Sequence, residues 1–341
     1  MKGPRDILGV GKLDLELLRG LLSALPADES VVVGSGIGCD VAVIDAGPGD
    51  YLLLKSDPVT FATDEIGRYA VTVNVNDIAT SGGLPRWFLA TLLLPEAGST
   101  PALVREILGQ ITRACEDYGV LLVGGHTEVT HGLDRPVVAG ALVGQVARDG
   151  LVTSRGTQAG DLILLTKAVA IEGACIIARE KRRELLAAGF TTTAVNECAD
   201  LLHQPGIGVL AEARAICDSV RVHAMHDPTE GGLATGLWEM AVAGGVSMRI
   251  DRSAIPVLPQ TWAMCRHFGL EPLGLIASGS LLAAVAASDA SSAIRSCSDR
   301  GIPCTVIGEA VSPVEGRACV WDEDGGELPR YDQDEIGKVF A

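Results

Sequence analysis

The sequence predicts an α+β chain of two structural units, and three observations lead there. Short runs of Val, Ile and Leu alternate with helical patterns, which is neither an all-β nor an all-α series. A turn-rich stretch, Arg155-Gly156-Thr157-Gln158-Ala159-Gly160-Asp161, interrupts the pattern, which then restarts. The 341 residues, 48% apolar and only 4% aromatic, supply enough Leu, Val, Ile and Ala for two cores.

The elements follow in order. An amphipathic segment opens at Leu13–Leu25. Strands are expected at Val41–Ile44, Tyr51–Ser56, Trp87–Leu94, Val120–Val123 and Val137–Val146, and helices at Ile66–Ser81 and Pro101–Tyr118. Val120–Val123 is a continuous apolar run and is expected to be buried. Beyond the seam near Gly150–Gly160 come the strand Leu162–Thr166 and a helix from about Ile171 to Ala188. Helices near Thr193–Cys217, Gly232–Ala243, Pro259–His267 and Ala290–Arg300 alternate with strands near Ser247–Ile250, Ser280–Ala286 and Thr305–Glu309. The tail reads as a hairpin around Asp324-Gly325-Gly326 and a short helix ending at Lys338. The expected division is 1–150, 151–312 and a tail of 313–341.

Charge and cysteine usage exclude several function classes. A net charge of -16 and a pI near 4.8, with no basic block, argue against an electrostatic grip on nucleic acid or on an anionic membrane. Any bound polyanion then needs a local solution. Nine cysteines form an odd set without a C-x-x-C pair, and no signal peptide is recognised, so reduced thiols and a cytoplasmic setting are expected. No apolar run reaches transmembrane length.

The chemistry lies in five acidic signatures: Gly38-Cys39-Asp40, Ser56-Asp57-Pro58, Asn76-Asp77, Gly124-Gly125-His126-Thr127-Glu128 and His226-Asp227-Pro228-Thr229-Glu230-Gly231-Gly232. Carboxylates at strand ends and helix starts, beside glycines, suit a site that holds Mg²⁺ and lets backbone N–H groups approach a polyphosphate. Taken singly, several have ordinary explanations. Asp40 closes a glycine-rich turn, Asp57 sits in an Asx-Pro turn, and Asp227 suits a helix N-cap. Strand alternation nevertheless puts Lys55 and Asp57 on one side of the sheet. Asp77 extends the stripe Ile66, Ala70, Val73 on one helical face, where an unpaired carboxylate costs several kcal/mol, so it requires a cation, a donor or a metal.

Gly124 and Gly125 permit close backbone approach, while Thr127 and Glu128 add a hydroxyl and a carboxylate. His126 and His131 do not have zinc spacing, so His126 reads as a hydrogen-bonding partner. The glycines Gly231 and Gly232 open a helix whose free N–H groups suit an oxyanion. No Walker A loop occurs.

In this order the residues resemble the aminoimidazole ribonucleotide (AIR) synthase superfamily, which includes thiamine monophosphate kinase, selenophosphate synthetase and the hydrogenase-maturation factor HypE. The segments that carry the resemblance are Gly34–Ile44, Ser56-Asp57-Pro58, Val73–Gly83, Gly124–Glu128, His226–Leu233 and Ala277-Ser278-Gly279-Ser280-Leu281, and they are nearest to HypE-like members. The resemblance implies a PurM-like two-domain subunit whose N-terminal halves pair in a homodimer with a β-barrel-like core. It implies ATP and Mg²⁺ as cofactors. It also implies Asp40, Asp57 and Asp77 as the metal and phosphate shell, Asn76 and Thr127 as polar support, and Gly124, Gly125, Gly231 and Gly232 around the nucleotide. Asp77 and Asp227 become the expected catalytic residues.

The implied reaction is phosphorylation of an amide-like or thiocarboxamide oxygen, followed by loss of phosphate. HypE proper acts on a cysteine at its own C-terminus; here the last thiol is Cys319, so a separate acceptor molecule is expected. Two alternatives stand beside this reading. One is a small-molecule kinase resembling thiamine monophosphate kinase, although Asp227-Pro-Thr-Glu-Gly-Gly replaces its usual Asp-x-Ser-Asp-Gly. The other is a non-catalytic nucleotide-binding partner in a maturation complex.

Overall fold

The computed structural model describes residues 15–340 apart from 23, 35, 37, 38, 60–63, 315 and 332. Leu13 and Gly38, named above, lie outside the described residues. The first part of the chain runs α1 (Leu15–Leu22), β1 (Val31–Val33), β2 (Ala42–Ile44), β3 (Tyr51–Val59), α2 (Ile66–Thr80), β4 (Leu84–Pro95), α3 (Pro101–Tyr118), β5 (Leu121–Thr130) and β6 (Val137–Val146). Its six strands form one sheet in the order β1-β2-β3-β6-β4-β5. Only β4 and β5 pair in parallel, across the α3 crossover, and all other neighbours are antiparallel.

The second part runs β7 (Asp161–Thr166), α4 (Ile171–Glu180), α5 (Arg182–Ala187), α6 (Thr192–Ala199), α7 (Leu210–Cys217), β8 (Val222–His226), α8 (Gly232–Gly244), β9 (Ser247–Ile250), α9 (Pro259–Phe268), β10 (Leu282–Ala286), α10 (Ala290–Ser298), β11 (Cys304–Val311), β12 (Val320–Asp322) and α11 (Gly337–Phe340). Its sheet has the order β12-β9-β11-β7-β10-β8. The fold is the two-sheet α+β arrangement that the sequence pattern predicts.

Local chemistry explains the better-defined boundaries. Helix α3 begins where Thr100 Oγ1 accepts from Leu103 N–H, has Pro101 at its first position, and stops at Gly119 in the left-handed region (φ 67°). The expected helix Ile171–Ala188 is two helices, because Lys181 leaves helical geometry (φ -105°, ψ 20°). The expected helical stretch Thr193–Cys217 is likewise divided. Pro205 has no N–H to give and Gly206 takes φ 87°, so the chain turns there before α7. The tail hairpin is reduced to one antiparallel bridge, Trp321 to Glu327, because the Asp322 carboxylate takes the N–H groups of Asp324 and Gly326 and closes the turn.

Helix α2 positions the site. It is buried on nearly all sides, packed between the first sheet, α3, and α7 and β8 of the second part. Val71, Val75 and Ile78 are fully buried, each stabilising by roughly 2 kcal/mol. A helix so enclosed can carry polar side chains only where they find partners.

Strand β5 departs from expectation. It is an edge strand rather than a buried one, with Leu121 64%, Val123 54% and Val129 59% exposed. It also continues through the two glycines to Thr130 instead of ending at them. The apolar run lies on a sheet edge that no other described residue of the chain covers, and periodicity alone does not distinguish such an edge from a buried strand. Among the described residues, no helix is long and apolar enough to cross a membrane.

Candidate active site

Four expected carboxylates converge from four elements. Asp57 stands on β3 two residues after Lys55, so both side chains lie on one face, and Lys55 Nζ is 3.1 Å from Asp57 Oδ2. The same ammonium is 3.1 Å from Asp77 Oδ2, presented by α2. Asp40, just ahead of β2, is held by Thr80 of α2 and by His226 at the end of β8. Asp227 follows directly. Asp40, His226 and Asp227 each offer one ligand atom within 4.8 Å of the others.

Helix α2 supplies the framework. Asn74 Oδ1 accepts from Asp57 N–H at 3.1 Å, which fixes the backbone that carries this carboxylate. One turn later comes Asp77, and three residues on Thr80 Oγ1 lies 2.8 Å from Asp77 O and 3.3 Å from Asp40 Oδ2. Asn76 faces elsewhere. Its amide donates to Ile207 O and accepts from Val209 N–H, both at 2.9 Å, clamping α2 to the loop before α7.

The electrostatics demand a cation. Asp77 and Asp227 are 6% and 3% exposed. Burial first, then repulsion from Asp40, pushes Asp227 up to about 8. Burial likewise raises Asp77 well above the carboxylate range, Lys55 acting against it and Asp227, Asp40 and Asp57 adding to it. The cluster therefore retains a proton when no metal is bound. Burial disfavours the charge on Lys55, yet Asp77, Asp57 and Asp40 outweigh it and raise its pKa above the ordinary lysine value.

Burial also works against a charged His226. Asp40, 3.2 Å from Nδ1, and Glu239, 3.0 Å from Nε2, prevail and raise its pKa well above the usual value. With a carboxylate on each nitrogen, His226 is placed to donate from both, an arrangement that favours a doubly protonated donor over a metal ligand. The metal donors are thus oxygens only, a hard set that fits Mg²⁺. Asp57, with its side chain 40% exposed, leaves the cluster open to solvent on one side.

The glycine-bearing segments lie apart from this cluster within one subunit. Asp57 pairs with Gly140, Gly140 with Ala90, and Ala90 with Gly125, so Gly125 is in the same cross-strand row but three strands away, about 14 Å. A Cβ on Gly125 would run into the carbonyl of Ala90. Gly124 and Thr127 are exposed on the same edge strand, where His126 Nε2 meets Glu128 Oε2 at 3.1 Å. At the start of α8, Gly231 and Gly232 both have positive φ, and Gly231 N–H donates to Asp334 Oδ2 of the tail at 2.7 Å. That donor, expected to face an oxyanion, already holds a carboxylate of the same chain.

Residues 38–146 and 158–318 match the N-terminal and C-terminal domains of the AIR synthase related proteins. The chain belongs to the AIR synthase related protein family. Within that family, it is 32% identical to the carbamoyl dehydratase HypE of Cupriavidus necator over 74% of this chain and 70% of that protein. The HypE of Rhodobacter capsulatus is 31% identical over 82% of both. The selenide, water dikinase of Aeromonas salmonicida is 30% identical over 70% of this chain and 67% of that protein.

Solved structures share the AIR synthase related fold at lower identity. The hydrogenase maturation protein HypE superposes with a TM-score of 0.70 at 23% identity, covering 94% of this chain and 97% of the other. AaThiL complexed with AMPPCP and TMP gives 0.71 at 21%, covering 92% and 94%. A chain of a HypE-HypF complex gives 0.69 at 21%, covering 86% and 93%.

Sequence reasoning missed Asn74, Thr80, His226 and Glu239 as site residues. His226 had a signal, since it directly precedes Asp227 at a strand end. Glu239 lies mid-helix in α8 and carries no motif.

Proposed function

We propose that the chain is a Mg²⁺-dependent, ATP-using enzyme that phosphorylates an oxygen of a separate acceptor molecule and so activates it for loss or displacement of phosphate. The observation that carries this reading is the convergence of Asp40, Asp57, Asp77 and Asp227 near Lys55, with Asp77 and Asp227 buried and the carboxylates outnumbering the nearby cations Lys55 and His226. The family membership, the carbamoyl dehydratase relatives and a fold shared with AaThiL complexed with AMPPCP support it.

Asp40, Asp57 and Asp77 would hold the metal, which supplies neutralisation of the charge developing on the transferred phosphoryl group. Lys55 and the imidazolium of His226 fix the carboxylates. Asp227, raised to about 8 in the metal-free protein, would lose its proton as the metal enters and can then accept one from the acceptor oxygen. Cys319 is unsuited as an internal acceptor, because it adjoins β12 at the opposite edge of the second sheet from β8, which presents His226 and Asp227, five strand spacings or about 24 Å away.

The uncovered edge strand β5 supports a homodimer, and in such an assembly Gly124, Gly125 and Thr127 would serve the nucleotide from the subunit interface. A maturation partner is in keeping with the HypE-HypF complex. The selenide, water dikinase relative favours a second reading, simple phosphoryl transfer to a small acceptor.

Mass spectrometry of products formed from ATP, Mg²⁺ and a cytoplasmic metabolite pool separates the two. A product 18 Da lighter than its acceptor, formed with phosphate release, supports dehydration; an accumulating phosphorylated product supports the kinase reading. No acceptor-stimulated ATP turnover from any pool would leave only a nucleotide-binding partner.

A further inference from the structure

The cluster contains a cation of its own, and its position bears on how a metal enters. Lys55 Nζ is 3.1 Å from both Asp57 Oδ2 and Asp77 Oδ2. Its side chain is 18% exposed and rises from the middle of β3, where Lys55 pairs with Leu142 of β6. The groups facing it are carboxylates: Asp57 on its own strand, Asp77 on α2, and Asp40 and Asp227 close by. An ammonium in contact with two carboxylate oxygens occupies the region that a dication ligated by those oxygens needs, at metal–oxygen distances near 2.1 Å. The two cations repel, and both cannot hold the same pair of oxygens.

We propose that Lys55 is an exchangeable internal cation, which holds Asp57 and Asp77 together while the site lacks metal and turns its N–H donors to the polyphosphate once a metal takes those carboxylates. The inference rests on the Mg²⁺–ATP reading above and assigns Lys55 a task within it.

The physical grounds are threefold. Even with one proton retained, the remaining clustered carboxylates would repel one another, so the metal-free fold gains from a resident positive charge at Asp57 and Asp77. Lysine suits exchange because its ammonium is a compact point charge on a flexible four-carbon stem, with three donors and no fixed fork geometry. The net charge of -16 and the acidic cluster repel a free polyphosphate, so a cation released from carboxylates at the moment the metal binds turns a repulsive site into an attractive one. Asp57 and Asp77 thus set when Lys55 becomes available.

A purely structural ion pair and an exchangeable one respond differently to loss of the ammonium. If Lys55 competes with the metal, Lys55→Met should bind Mn²⁺ alone about tenfold more tightly, and should bind a non-hydrolysable ATP analogue in the presence of Mn²⁺ at least about tenfold more weakly. Electron paramagnetic resonance of free Mn²⁺ reads the first affinity and calorimetry the second. Lys55→Cys alkylated with bromoethylamine, which restores an ammonium at nearly the same length, should return both towards wild type. Should the Met variant not fold, as judged by circular dichroism, Lys55→Gln carries the same comparison.

Opposite movements of the two affinities support the exchange. Wild-type protein that binds metal and nucleotide, beside a variant in which both affinities fall together or neither moves, overturns the exchange and leaves the proposed function standing. Wild-type protein that binds neither overturns both.

Discussion

His226 Nδ1 lies 3.2 Å from Asp40 Oδ2, joining two residues 186 positions apart and tying the first sheet to the second at the candidate site. The far nitrogen meets Glu239, so an imidazolium sits between two carboxylates in a buried setting. The acid that would hold the metal is thereby oriented by the second half of the chain. Opening the two halves would cost this contact as well as the Asn76 clamp on the loop before α7.

The first prediction concerns this bridge. The pKa of His226 is raised on folding, so its contribution to stability is fully present below the unfolded value near 6.5 and is lost as pH climbs through the folded value. His226→Gln should therefore be less stable than wild type by about 3 kcal/mol at pH 6 in EDTA, with the gap shrinking as pH rises above about 6.5. Urea denaturation across that range reads it. A gap that is constant or widens with pH means that His226 is neutral in the fold.

Much of this is legible in the amino-acid sequence. Strand β6 and helix α3 coincide with Val137–Val146 and Pro101–Tyr118, because alternation on a half-buried strand and amphipathic periodicity leave a direct trace in the residues. The Lys55–Asp57 pair followed from strand alternation, and the need of Asp77 for a cation from its place among apolar residues. What stayed hidden is tertiary. Asn76 and Asp77 are adjacent and look like one signature, yet successive side chains on a helix point about 100° apart, so one clamps a loop and the other joins the cluster. The Gly231 donor could not be known to hold Asp334, over a hundred residues away, because no local pattern records that docking.

The second prediction is that Asp77→Asn folds but lowers Mg²⁺–ATP turnover at least about tenfold, since shape is kept while a metal-holding charge is lost. Lys55 keeps Asp57 as a partner in this variant, which limits the structural cost. Turnover at the wild-type level removes Asp77 from the metal set. A variant that does not fold assigns it to a structural ion pair instead.

The third prediction is a pH dependence of metal affinity. Asp227 is raised to about 8 and Asp77 also lies above its ordinary range, both chiefly through burial. A proton must leave when a dication enters, so Mg²⁺ affinity should rise with pH from neutral through about 8. Calorimetry at pH 7 in buffers of different ionisation enthalpy should detect proton release on binding. Its absence would mean that the carboxylates are already ionised and that the cluster is better solvated than its burial implies.

The last prediction concerns the edge of the first sheet. Strand β5 exposes Leu121, Val123 and Val129 along an unpaired edge of ten residues, a surface that a stable protein covers or blunts. Its blunting is slight: its only charged side chain is Glu128, apart from the titratable His126, it contains no proline, and one bulge at Val123 interrupts its pairing with β4. A second copy is the occupant we propose, because the same edge strand carries Gly124, Gly125 and Thr127, expected at a shared nucleotide site. Val123→Asp places a charge in the middle of that contact, where it would be desolvated without a partner at a cost of several kcal/mol. Light scattering coupled to size exclusion should show wild type at twice the subunit mass and the variant at the subunit mass. The circular dichroism of the variant should be unchanged, because Val123 takes no part in the core of its own subunit. A monomeric wild type, or a variant that still dimerises, would separate β5 from subunit pairing and require another explanation for its exposed valines.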